Sequence, residues 1–66
     1  MWILKYYRYG REYEYEAGTK EEALSFGVIG EDYGRLSMHS LINPDGNVDM
    51  DGDALSDYYI YGANHE

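Results

Sequence analysis

Alternating apolar and polar residues at the start of the chain predict a β-hairpin. Residues 2–17 form two tyrosine-rich runs separated by Gly10-Arg11, a pair that suits a two-residue type II′ turn. In that register Tyr9 lies opposite Glu12. The other expected pairs are Tyr7 with Glu14, Lys5 with Glu16, Arg8 with Tyr13, Tyr6 with Tyr15 and Leu4 with Ala17.

This register sorts the side chains of the hairpin by polarity. The apolar, aromatic face consists of Trp2, Leu4, Tyr6, Tyr13, Tyr15 and Ala17. The opposite, largely polar face consists of Ile3, Lys5, Tyr7, Tyr9, Glu12, Glu14 and Glu16. A shift of one residue would exchange the two faces, so we expect the first set to face the core.

The spacing of Thr19 and Glu22 predicts the start of a helix. Thr-x-x-Glu before an apolar patch is a capping box. The helix should end at Gly27 or Gly30, and residues 30–34 should form a turn or loop. Its expected apolar residues are Ala23, Leu24 and Phe26.

A second hairpin is predicted around the turn at residues 43–46. Pro44 at the second position and Gly46 at the fourth suit a type I turn closed by a glycine bulge. The expected pairs are Asn43 with Asn47, Ile42 with Val48, Ser40 with Met50 and Leu41 with Asp49. The expected inner face consists of Leu36, Met38, Ser40, Ile42, Val48 and Met50.

A final helix is predicted from Ala54 to about Tyr61. Asp51-Gly52-Asp53 offers N-cap residues, and Gly62 should stop the helix, leaving residues 62–66 as a frayed tail. Its expected apolar stripe is Leu55, Tyr58 and Tyr59. The order is therefore ββαββα. We expect an α+β fold in which two antiparallel hairpins form one sheet, covered on one face by two short helices.

Length and charge narrow the class of protein. Sixty-six residues predict a single domain over 1–66, and the chain has no cysteine for disulfides. Thirteen acidic and five basic residues give a net charge of −8. Such acidity disfavours direct binding to nucleic acid or to anionic membranes. Because Lys5 and Arg8 follow the first apolar residues, no signal peptide is expected, and we expect a cytoplasmic protein.

Residues 47–58 suggest one candidate metal site. The run Asn-x-Asp-x-Asp-Gly resembles the opening of an EF-hand-like calcium loop, in which alternate oxygen ligands precede a glycine. The candidate ligands are Asn47, Asp49, Asp51 and Asp53. The twelfth position is Tyr58 rather than a bidentate carboxylate, and the same alternation describes the outward side of a strand. We therefore expect no metal and no cofactor.

Catalytic groups are sparse. The predicted register places His39 opposite Asp51, which is half of a catalytic pair, with Ser37 and Ser40 nearby in sequence. Cross-strand pairs of this kind are common on protein surfaces, and a thin domain rarely forms the pocket that raises a carboxyl pKa. The sequence favours a protein that is not an enzyme.

The surface supplies the functional hypothesis. Glu12, Glu14 and Glu16 share one strand face at intervals of about 6.8 Å, with Tyr7 and Tyr9 beside them. Asp49, Asp51 and Asp53 form a second acidic band. These eight residues are the expected contact set for a protein partner with a basic surface, reached by electrostatic steering.

Two alternatives remain open for this surface. The acidity alone would keep a small domain soluble. Alternatively, the chain is a self-associating structural or accessory protein without an inhibitory role. In that case a homodimer would form through Ile3, Tyr7, Tyr9 and Leu41.

Four segments resemble small acidic proteins encoded by phages and mobile elements. They are Tyr13-Glu-Tyr15, Thr19-Lys-Glu-Glu-Ala23, Gly30-Glu-Asp-Tyr-Gly34 and Asn43-Pro-Asp-Gly46. The resemblance implies a protein that binds and blocks a host protein in the host cytoplasm, in some cases by imitating DNA. It assigns no role to an individual residue.

Overall fold

The fold is an antiparallel four-stranded sheet with both helices packed on one side. A computed structural model describes residues 1–62. The elements are β1 (Trp2–Arg8), β2 (Arg11–Ala17), α1 (Lys20–Asp32), β3 (Ser37–Ile42), β4 (Val48–Met50) and α2 (Gly52–Asp57), followed by a π-helical turn (Tyr58–Gly62). The strand order is β2-β1-β3-β4. The predicted α+β class and ββαββα order are confirmed.

The first hairpin keeps its predicted faces but not its predicted register. Its turn is Tyr9-Gly10, with φ angles of 53° and 77°, so that Arg8 pairs with Arg11. Positive φ at both central residues is the type I′ pattern, whose twist suits a hairpin. The register is therefore shifted by two residues, and a shift of two leaves each side chain on its predicted face. It also places Tyr6 opposite Tyr13, with ring centroids 5.7 Å apart.

Helix α1 begins where the sequence predicts and ends later. Thr19 is the N-cap, and its hydroxyl accepts a hydrogen bond from the Glu22 amide at 3.1 Å. The helix continues through Gly27 and Gly30 because both face close neighbours. A Cβ at Gly27 would collide with Met38 and Leu4, and one at Gly30 would collide with Leu36. These glycines are contact points between the helix and the rest of the core, and the predicted stop there was wrong.

The end of α1 is a Schellman motif. Gly34 has a φ of 70°, and its amide donates to the Glu31 carbonyl at 3.0 Å. The Arg35 amide donates to the Gly30 carbonyl at 2.8 Å. These two bonds satisfy carbonyls that a helix end would otherwise leave unpaired. Of the predicted loop at residues 30–34, only the last two residues lie outside the helix.

Two irregularities in β3 change which residues face the core. The pairing of Ile42 with Val48 is confirmed, but the register shifts beyond it and Leu41 pairs with Met50. A second shift occurs where β3 pairs with β1. Ser40 pairs with Lys5 and Met38 pairs with Tyr6, so that His39 between them is an extra residue in β3. The prediction that Leu41 faces outward was therefore wrong, because Leu41 lies opposite Leu4 and is 0% exposed.

The same shifts move three residues out of the predicted inner face. Ser40 pairs with Lys5 and Ile42 pairs with Ile3, both on the outer side of β1. Val48, paired with Ile42, is 60% exposed. The core consists of Leu4, Ala17, Ala23, Leu24, Met38, Leu41 and Leu55.

Helix α2 closes the far side of the core. The Asp51 side chain accepts a hydrogen bond from the Ala54 amide at 2.9 Å, which confirms Asp51 as the N-cap. Leu55 is completely buried, and Tyr58 and Tyr59 pack against the core. The α-helix ends at Asp57 rather than near Tyr61, and a π-helical turn that includes Gly62 follows it. Residues 63–66 of the predicted tail lie outside the described residues.

Candidate protein-binding surface

The outer side of the sheet forms an exposed surface, because both helices pack on the other side. We call it the open face. It consists of Ile3, Lys5, Tyr7, Glu12, Glu14, Glu16, Ser37, His39, Ser40, Ile42 and Val48, of which Ser40 is buried beneath its neighbours. Strand pairing fixes their arrangement: Glu16, Ile3, Ile42 and Val48 form one row across all four strands, and Glu14 and Lys5 lie in the next row.

The acidic part of the open face lies along one edge of the sheet. Glu12, Glu14 and Glu16 are exposed on β2, which is an outermost strand. Side chains on one face of a strand repeat at about 6.8 Å, so the three carboxylates form a regular row. Lys5 is paired with Glu14, whereas Glu12 and Glu16 lie opposite Tyr7 and Ile3. The row therefore keeps net negative charge.

An apolar row crosses the other strands. Ile3, Ile42 and Val48 are direct neighbours on β1, β3 and β4. Side chains that are directly opposite in a sheet contact one another. This row was not predicted from the sequence, because strict alternation assigns Ile42 and Val48 to the core. The pairing of β3 with its neighbours is irregular, and a strictly alternating pattern does not predict such an irregularity.

His39 contacts Tyr7, Glu12 and Ser40, but these groups do not form a catalytic relay. Its ring meets the Tyr7 ring edge-on at 5.2 Å between centroids. The Glu12 carboxylate lies 3.8 Å and the Ser40 hydroxyl 3.3 Å from the same ring nitrogen, Nδ1. A nucleophile–base–acid relay needs the serine and the acid on opposite ring nitrogens. The predicted pairing with Asp51 was wrong, because that carboxylate caps α2.

The predicted second acidic band is not part of the open face. Asp49 forms an ion pair with Lys20 at 2.8 Å, and Asp51 accepts the Ala54 amide. Asp53 lies in the first turn of α2. Within residues 1–62 no three acidic or histidine side chains come together as metal ligands. The calcium-loop candidates Asn47, Asp49, Asp51 and Asp53 are thus not gathered around one point.

The two predicted contact tyrosines and Leu41, which was predicted to lie on a dimer surface, occupy three different places. Tyr7 is on the open face, 41% exposed. Tyr9 is in the hairpin turn and 88% exposed, with the Arg8 guanidinium 5.3 Å from its ring centroid. Leu41 belongs to the core and cannot take part in the predicted dimer surface. The structure therefore brings together Tyr7, Glu12, Glu14 and Glu16 from the predicted set.

Two tyrosine hydroxyls are held by acidic residues away from the open face. The Tyr15 hydroxyl donates to Glu22 at 3.1 Å, and this hydrogen bond, together with burial, raises the pKa of Tyr15. The Tyr59 hydroxyl donates to Asp32 at 3.2 Å, and burial followed by the charge of Asp32 raises the pKa of Tyr59. Both contacts tie a hydroxyl to α1 and are structural.

A cleft on the helix side of the sheet was not foreseen from the sequence. It lies between β1 and the C-terminal half of α1 and has a volume of about 530 Å³. Its lining residues are Tyr6, Arg8, Phe26, Ile29, Gly30, Tyr33, Arg35 and Leu36. These residues come from separate parts of the chain, so no local sequence motif predicts the cleft.

Comparison with known proteins finds no matching family model, no similar curated protein and no similar solved structure. Among residues 1–62, no helix has the length and apolar character needed to cross a membrane.

Proposed function

We propose that this chain is a non-enzymatic protein-binding module that docks the basic surface of a partner on its open face. The observation behind the proposal is the side-by-side placement of an apolar row and a row of carboxylates. Ile3, Ile42 and Val48 supply apolar area, and the glutamates of β2 flank it. An apolar centre with a charged rim is the usual composition of a protein interface.

The charge of the open face selects the class of partner. Three carboxylates on β2, within a chain of net charge −8, attract lysine and arginine side chains and speed their encounter. Proteins that bind nucleic acid present such basic surfaces. Occupation of that surface would block nucleic-acid binding, so the proposed role is inhibition by imitation of a polyanion. A cytoplasmic location is part of this proposal.

The test compares two variants of equal charge. The face variant is Glu12→Gln, Glu14→Gln and Glu16→Gln. The control variant removes three acids elsewhere, with Glu21→Gln, Asp45→Asn and Asp57→Asn. Each protein is immobilised, exposed to nuclease-treated bacterial lysate and eluted in steps of salt. We expect the unmodified chain and the control to retain one basic protein that elutes as salt rises, and the face variant to lose it.

Two results would contradict the proposal. Equal loss in both variants would mean that net charge, rather than the open face, causes retention. Unchanged retention in the face variant would place the contact elsewhere on the molecule. Folding of each variant is checked by its far-ultraviolet circular dichroism before capture.

Self-association is a second candidate, favoured by the apolar row on the open face, in which Val48 is exposed and Ile3 and Ile42 are half-buried. Two copies could cover Ile3, Ile42 and Val48 by packing open face against open face. The glutamates would then surround the contact. Light scattering across a range of concentrations should show a dimer that Val48→Lys abolishes, and a monomer at all concentrations would exclude this role.

A further inference from the structure

The cleft beside α1 has the size and lining of a small-molecule site. Its volume of about 530 Å³ falls within the range of roughly 300–1,000 Å³ for ligand pockets. Tyr6 and Phe26 pack edge to face, with ring centroids 5.4 Å apart, and together form one aromatic wall of the cleft. Ile29 and Tyr33 at its border are 56% and 72% exposed. An apolar, ring-shaped group would therefore be covered on several sides.

The cleft also holds an unusual concentration of positive charge. Two of the five basic residues of the chain, Arg8 and Arg35, line it. Neither forms an ion pair with any carboxylate of residues 1–62, although the chain contains thirteen acidic residues. The Arg35 guanidinium instead lies 5.7 Å from the centroid of the Tyr33 ring. These guanidiniums keep their capacity for bidentate hydrogen bonds.

The neighbouring residues leave this positive charge largely uncompensated. Arg11 lies directly opposite Arg8 across the hairpin, and like charges in that arrangement repel. One acid, Glu31, lines a shallow groove beside both arginines of the cleft. Its Oε2 accepts the Met38 amide at 3.0 Å, so one of its oxygens is already engaged. A bound anion would relieve the repulsion at this end of β1.

We propose that the cleft binds a small aromatic carboxylate. The ring would lie in the cleft against Tyr6, Phe26 and Ile29, and the carboxylate would meet Arg8 and Arg35. A monoanion is favoured over a dianionic phosphate because Glu31 and the net charge of −8 penalise each added negative charge. The cleft is on the helix side of the sheet and shares no lining residue with the open face.

The test is an NMR titration of the full, ¹⁵N-labelled chain with naphthalene-2-carboxylate. Its neutral counterpart, naphthalene-2-carboxamide, keeps the ring and removes the charge. We expect saturable shifts at the amides of Ile29, Gly30 and Leu36, and binding of the carboxylate at least fivefold tighter than that of the carboxamide.

Matched variants show whether the arginines are responsible. Arg8→Gln and Arg35→Gln each remove one positive charge from the cleft, and Lys5→Gln removes one from the opposite side of the sheet. We expect each arginine variant to weaken binding of the carboxylate at least fivefold, and Lys5→Gln to change it less than twofold. Amide spectra without ligand confirm that each variant is folded.

Several results would overturn the proposal. They are the absence of saturable shifts at 10 mM ligand, equal binding of carboxylate and carboxamide, equal effects of the lysine and arginine variants, or shifts confined to the open face. Tighter binding of 2-naphthyl phosphate would overturn the assignment of a monoanion. Because no partner protein is used, these results do not depend on the proposed function.

Discussion

Substitution of Leu41 tests the arrangement of β3 on which both surfaces depend. Leu41 is 0% exposed and lies opposite Leu4 in the core, whereas Val48 is 60% exposed on the open face. Strict alternation along the second hairpin would place these two residues the other way round. The cost of changing each one therefore reports which of them is buried.

The expected costs differ by several kcal/mol. Replacing a buried leucine with alanine costs about 2–5 kcal/mol, and a chain of this length is stabilised by only about 3–10 kcal/mol in total. Leu41→Ala should consequently leave much of the protein unfolded. Leu41→Val removes one methylene and should cost about 1 kcal/mol, which keeps the transition measurable. Val48→Thr preserves shape and strand preference and should change stability by less than about 0.5 kcal/mol.

Urea unfolding provides the assay. Trp2, the single tryptophan, packs against the core, so its fluorescence should report global unfolding. With a slope of about 1 kcal/mol/M, Leu41→Val should lower the midpoint by about 1 M, and Val48→Thr should leave it within about 0.5 M. A Val48→Thr variant that is as destabilised as Leu41→Val would refute the irregular pairing of β3. It would also remove Val48 from the open face.

Three further predictions concern local contacts. Gly27→Ala should destabilise the protein by about 1–2 kcal/mol, since overpacking outweighs the gain in helix propensity. Gly18→Ala is the control and should be nearly neutral in the same urea assay, because a Cβ there would lie 3.8 Å from its nearest neighbour, Glu22. Asp51→Ala should cost about 0.5–2 kcal/mol through loss of the α2 cap, and thermal unfolding should show a smaller loss for Asp53→Ala. The pKa of Tyr15 is raised in the folded state, so its hydroxyl contributes fully to the free energy of unfolding below the unfolded pKa of about 10. That contribution is lost as pH rises through the folded pKa. Tyr15→Phe should therefore flatten the fall in urea midpoint between pH 9 and 11.

Local signals in the sequence predicted those features that depend on neighbouring residues. Thr19 and Asp51 cap their helices as expected, and the turn at residues 43–46 joins β3 to β4. The faces of the first hairpin were also predicted correctly despite the wrong register. An error of two residues preserves the face of every side chain, so polarity alone could not reveal it.

Features that arise from packing between distant segments were not predictable. The extra residue at His39 turns Leu41 toward Leu4, and no residue near His39 signals this change. Helix α1 passes through Gly27 and Gly30 because Met38 and Leu36 pack against them, a contact invisible to helix-stop rules. The premature end predicted for α1 also hid the cleft, whose border includes Ile29 and Tyr33.

The two proposed sites should respond to salt in different ways. Alternation along β1 sends Tyr7 to the open face and Arg8 to the cleft, so charged groups of the two sites lie on opposite sides of the sheet. At physiological ionic strength charges are screened over about 8 Å. Binding of a basic partner gains from the charge of the whole chain and should weaken steeply as salt rises. Binding of an aromatic anion is opposed by that same net charge. Salt therefore screens the repulsion as well as the contacts with Arg8 and Arg35, and the affinity of the cleft should depend on salt far less.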